Sequence, residues 1–157
     1  FYLLKFLWAL RAHFKEFEAF TFSTQLVRVT ELLNENELTG ALQAISNNVH
    51  HWSGGTKIGE CLQQFIEQYS KRFLNGKTIT IIMSDGLDTG EPEIREGAAA
   101  QLKLRSKKLV WLNPLKGMEG YQPVQQGMQA ALPAVSHFSS AHNLNSLLQL
   151  EKILSNA

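Results

Sequence analysis

Two short segments of the 157-residue sequence combine residue types that could hold a hard cation. The first is Ser53-Gly54-Gly55-Thr56-Lys57-Ile58-Gly59. Its paired glycines permit a tight backbone path, and Thr56 offers a hydroxyl where a helix is about to begin. The second is Ser84-Asp85-Gly86-Leu87-Asp88, directly after an apolar, β-branched run. A carboxylate at the C-terminal end of a buried parallel strand stands where ligands of open α/β sheets bind. Hydroxyl and carboxylate oxygens together suit Mg²⁺. Each segment also has a plainer reading: Thr56 as an ordinary helix N-cap, Asp85-Gly86 as a common turn. Their joint placement at the same face of an α/β pattern is what favours the metal reading.

Other chemistries find less support. SGGTKIG is glycine-rich but does not fit the phosphate-cradling pattern G-x-x-x-x-G-K-[ST]. No G-x-S-x-G elbow is present for Ser-His-Asp hydrolysis. Cys61 lies on the apolar stripe of a helix and reads as core rather than nucleophile. His50 and His51 would project about 100° apart on a helix and could not readily share one metal. Trp8, Trp52 and Trp111 read as packing residues.

The elements that must carry these loops follow from hydrophobic spacing. Leu3, Leu4, Leu7, Leu10 and Phe14 make a helical stripe at the N-terminus. Segments 17–23 and 26–29 read as short strands either side of a Ser-Thr-Gln turn. Leu38, Leu42, Ile45 and Val49 fit a helix. Ile58, Cys61, Leu62, Phe65, Ile66, Tyr69 and Phe73 form one long stripe. Residues 77–83 (KTITIIM) read as a central strand buried on both faces, with Ile79, Ile81 and Ile82 in the core. Pro92 opens a helix carried by Ile94, Ala98 and Leu102. Segment 108–112 is another buried strand, 117–133 is loop-like with room for a helical turn, and 135–138 is a short strand. Asn143 is placed to cap a final helix beginning at Leu144. Strands alternating with helices imply α/β layers in one domain spanning 1–157: a mostly parallel sheet with an antiparallel edge hairpin and helices on both faces.

Composition narrows the function classes. Hydrophobic residues make up 44% and charged residues 18%, which argues against disorder. The net charge is +1, from 15 basic and 14 acidic residues. That balance gives no reason to expect nucleic acid or an anionic membrane as partner. No apolar run reaches the about 18 residues of a membrane span. The single cysteine excludes an intrachain disulfide and is compatible with a reducing compartment; the expected location is cytoplasmic.

The sequence resembles the von Willebrand factor A (VWA) domain, and within it the CoxE-like proteins. The resemblance rests on GGTKIGE (54–60), SDGLDTGEPE (84–93), VWLNPL (110–115), and the tail GYQPVQQGMQAALPAV with SAHNLNSL. It spans nearly the whole chain. It implies a Rossmann-like VWA fold and a metal-ion-dependent adhesion site (MIDAS) built from three loops. These are Asp-x-Ser-x-Ser after the first strand, a Thr before a helix, and an Asp after a later strand. Thr56 and Asp85 match the second and third. No Asp-x-Ser-x-Ser occurs in the sequence. Family order puts that loop and its central strand upstream of Phe1, so the domain is expected to be incomplete at its N-terminus, with an incomplete site. The resemblance further implies a non-catalytic protein-binding module. Its metal would be completed by a partner's Asp or Glu. The implied partner is a MoxR-type AAA+ ATPase, and the implied task is maturation of carbon monoxide dehydrogenase. Two alternatives stay open: an Mg²⁺-dependent phosphatase of the haloacid dehalogenase type, whose paired acids Asp85 and Asp88 could imitate, and a metal-free scaffold.

Overall fold

The computed structural model describes residues 2–49, 54–123 and 126–156. His50, His51, Trp52 and Ser53 lie outside the described residues, and so do the readings attached to them. Helix α1 (Tyr2–Leu10) leads through a 3-10 turn to the hairpin β1 (Phe20–Phe22) and β2 (Leu26–Arg28). Helices α2 (Leu38–Asn48), α3 (Ile58–Gln68) and α4 (Ser70–Phe73) follow. The chain then alternates: β3 (Ile79–Met83), α5 (Pro92–Arg105), β4 (Lys108–Asn113), α6 (Gln126–Ala131), β5 (His137–Ser140), α7 (Leu144–Ser155).

Pro92 stands in the first turn of α5, where its missing N–H costs nothing. Asn143 caps α7 as its type suggests, its side chain accepting from Ser146 N at 3.0 Å. The stripe expected over 58–73 breaks at Tyr69, whose backbone (φ −125°) leaves the helical region, so α3 and α4 are separate. The last strand lies two residues later than its apolar residues suggested, at 137–140 rather than 135–138. A 3-10 turn over Glu31–Asn34, which buries Leu33, was not legible from spacing.

Strands β3, β4 and β5 form one parallel sheet in that order, with Ile79 opposite Lys108 and Val110 opposite His137. Strands β1 and β2 form a separate antiparallel pair. Two expectations are corrected here. Among the described residues the hairpin is not the edge of one continuous sheet, and KTITIIM stands at the edge of the three-stranded sheet, not at its centre. β4 is the central strand, flanked on both sides, and five of its six residues are buried. Among the described residues β3 pairs on one side only; Ile82, on the α3–α5 face, is buried, while Ile79 and Ile81, on the α1–α7 face, are half-buried.

The sheet is nevertheless covered on both faces. Ile58, Leu62 and Ile66 of α3, Ala98, Ala99 and Leu102 of α5, and Met128 of α6 pack on one face around Trp111. Phe6 of α1 and Leu150 of α7 pack on the other, over Val110 and Leu112. Helix α1 also turns Leu4, Leu7 and Trp8 toward a third cluster, where Val29, Leu33, Ile45 and Val49 are buried beneath the hairpin. One amphipathic helix therefore joins the hairpin to the main sheet.

Candidate metal centre

Because β3, β4 and β5 are parallel, Met83, Asn113 and Ser140 end at one edge, and the loops after them share it. The loop after β3 is held by its neighbour strand. Ser84 N donates to Leu112 O at 3.1 Å, and the buried Trp111 Nε1 donates to Ser84 O at 3.0 Å. Asn113, fully buried, donates Nδ2 to Asp85 O at 3.2 Å and meets the Tyr121 hydroxyl at 2.7 Å. The Asp85 carboxylate accepts from Leu87 N at 2.9 Å through Oδ1, which makes the turn its dipeptide suggested. Gly86 has φ +80°, which favours glycine, and a Cβ there would lie 2.8 Å from Met128 Sδ, so any larger residue would also have to displace the Met128 side chain.

The Thr56 loop is anchored at its other side to the end of β1, where Lys57 N donates to Ser23 O at 2.8 Å. Gly59 permits α3 to touch α5, since a Cβ there would lie 2.8 Å from Arg95 N. The two loops are stitched directly to each other. Thr56 O accepts from Thr89 N at 2.8 Å and from Thr89 Oγ1 at 3.1 Å. Asp88 Oδ1 accepts from Ile58 N at 3.1 Å and from Gly90 N at 2.9 Å. Its other oxygen pairs with Arg95.

This arrangement corrects the plain reading of Thr56. The N-cap position of α3 is Lys57, with no side-chain cap of its own, and the donor at Ile58 is satisfied by Asp88 from across the loop. Among the described residues the Thr56 hydroxyl makes no hydrogen bond. The structure thus brings the Thr56 and Asp85 loops into contact through Thr89 and Asp88, and the side chains of Thr56 and Asp85 take no part in the stitching. Among the described residues no group of three or more His, Cys, Asp or Glu could hold a metal. Cys61 sits in the core beside Ser23 O at 3.6 Å, and burial pushes its thiol up to about 11, which suits a packing residue rather than a nucleophile.

Spacing alone missed Arg95 and Asn113. Arg95 had a signal, since it stands three and four residues before Ala98 and Ala99 and so shares their buried face. Asn113 was visible only as a strand terminator before Pro114.

Comparisons with known proteins give a family and a likeness of fold. The family described as VWA domain containing CoxE-like protein matches over residues 2–147. No curated protein matches the chain. Among solved structures, proximal thread matrix protein 1 from the mussel byssus aligns with a TM-score of 0.62 at 18% identity, over 98% of this chain. The aligned region spans 40% of the mussel protein, and the likeness is one of fold. An uncharacterized membrane-spanning protein from Vibrio fischeri aligns over 98% of this chain and 82% of its own, at 15% identity and a TM-score of 0.33. No helix among the described residues is long and apolar enough to cross a membrane.

Proposed function

Since the chain belongs to the family of VWA domain containing CoxE-like proteins, we propose that its protein-interaction surface is the strand-end edge carrying Thr56 and Asp85, and that a divalent cation, Mg²⁺ by the chemistry of the donors, assists binding there. The observation that carries this reading is the unused hydroxyl of Thr56. Helix α3 takes its cap from Asp88, so Thr56 is released from the duty its position would ordinarily give it. Asp85 commits one carboxylate oxygen to its own turn and keeps the other available. Both donors are oxygen, as a hard cation requires.

Two donors are fewer than the about six oxygens that Mg²⁺ takes. On the family pattern the missing protein donors come from an Asp-x-Ser-x-Ser loop on a central strand beside β3, the edge left unpaired in the sheet described above. When bound, the cation offers a partner's Asp or Glu a strong, directional contact. The chain's own residues orient it and turn over no substrate. The partner we propose is a MoxR-type AAA+ ATPase, in the cytoplasm, and the task is maturation of a metalloenzyme such as carbon monoxide dehydrogenase.

The phosphatase alternative needs Asp85 and Asp88 as paired acids. Asp88 is occupied by Arg95 and two backbone amides, so it is not free for phosphoryl chemistry. The test is a pull-down of a MoxR-type ATPase in Mg²⁺. Thr56→Ala and Asp85→Ala should each weaken capture while a cooperative thermal melt shows the fold intact, and chelator should weaken capture by the parent. Capture indifferent to chelator and to both variants would leave the metal-free scaffold as the better reading.

A further inference from the structure

We infer that the buried pair Asp88–Arg95 is the positioning device of this edge: it fixes the Thr56 loop against the Asp85 loop and thereby sets how tightly a divalent cation is held. The inference rests on the metal reading above. Asp88 gathers donors from three places, namely the first residue of α3 (Ile58 N, 3.1 Å), its own loop (Gly90 N, 2.9 Å) and α5 (Arg95). Its neighbour Thr89 grips the Thr56 carbonyl. Residues 88 and 89 therefore hold the backbone immediately before and after Lys57.

Arg95 completes the linkage on the other side. Its Nη1 reaches toward Gly86 O at 3.5 Å, one residue from Asp85, while its own backbone is the surface on which Gly59 packs. One side-chain pair thus touches the segments on either side of the proposed site without offering a ligand to it. Both side chains are only 1% exposed. A buried ion pair is a poor device for stability alone, because apolar residues of similar volume commonly do as well or better. What it supplies here is reach: a carboxylate can meet amides from two segments and a guanidinium at once, which no aliphatic side chain can do.

The experiment is a Mg²⁺ titration of the 157-residue chain, followed through the amide NMR shifts of Thr56 and Asp85, with amide exchange of Ile58 measured alongside. The parent, with two protein oxygens to offer the ion, should respond weakly. The double variant Asp88→Leu/Arg95→Met leaves no orphaned charge, so it should keep the parent spectrum in β4. It should bind Mg²⁺ about 10–100-fold more weakly, the range for residues that orient metal ligands from behind, and exchange Ile58 faster. Arg95→Lys keeps the charge paired but shortens the reach to Gly86, and should give a smaller loss of affinity with the fold intact. Unchanged affinity in either folded variant, beside a Thr56→Ala control that has lost its response, overturns the positioning role and leaves the metal reading standing. A parent chain with no Mg²⁺ response overturns this inference.

Discussion

The carboxylate of Asp88 and the guanidinium of Arg95 face each other with 1% of either side chain exposed, between a loop that follows β3 and the first turns of α5. A charge this deep depends on its partner. Arg95→Ala or Asp88→Ala should each cost about 3–5 kcal/mol, because each leaves the other charge buried and unpaired. The neutral double replacement should cost much less than the sum of the two. Urea denaturation of the three variants measures that coupling directly.

The correction to β3 changes what its isoleucines should be worth. Ile82 is buried in the cluster that also holds Leu62, Leu102 and Trp111, so Ile82→Ala should cost about 2–5 kcal/mol. Ile81 points to the α1–α7 side and is half-buried, so Ile81→Ala should fall below about 2 kcal/mol. Equal losses for the two in chemical denaturation would contradict this difference in burial between the two faces of β3.

Glycine substitutions separate backbone conformation from crowding. Gly76 and Gly86 have nearly the same φ, +76° and +80°, but a Cβ at Gly76 would meet nothing within 4 Å. Gly76→Ala should cost about 1 kcal/mol for the left-handed backbone alone. Gly86→Ala should cost visibly more, since Met128 must also move. A paired thermal melt tests this, and Met128→Ala in the Gly86→Ala background should recover part of the difference if crowding is the cause.

Much of this fold was legible in the sequence, for reasons that particular residues make plain. KTITIIM and KLVWLN are apolar and β-branched enough to be strands under any packing, and Pro92 and Asn143 announce helix starts by their chemistry. The edge position of β3 was not legible, because a β-branched run, nearly all apolar beyond Thr80, reads as doubly buried whichever neighbours it has. Of the site, the two loops were visible through their glycines and oxygen donors. The device joining them was not. Asp88 looks like a second acid for catalysis until Arg95, seven residues on, is seen to turn inward, and a charged residue in a helix ordinarily counts as surface.

The buried thiol gives a pH dependence with a definite sign. Burial raises Cys61 from the ordinary 9.0 to about 11, so the unfolded chain loses this proton before the folded one does. The thiol's contribution to stability is whole below pH 9.0, falls as pH rises beyond it, and is gone above about 11. Cys61→Ala should flatten that part of the stability profile. Iodoacetamide at neutral pH should label Cys61 only as fast as the native chain opens, and labelling at the rate of the denatured chain would contradict its burial.

Strand β3 hydrogen-bonds to β4 and to no other strand among the described residues. In a parallel ladder successive amides point alternately to the two sides, so only every second N–H of Ile79–Met83 is locked by its neighbour. On the timescale of native-state hydrogen exchange this strand should flicker residue by residue, slow then fast, while β4 stays uniformly slow. The Asp85 loop grows from the flickering strand and is laced to the slow one through Trp111 and Asn113. The loop's working rigidity is therefore borrowed from β4, and anything that later pairs with the open side of β3 would quiet the loop without touching it.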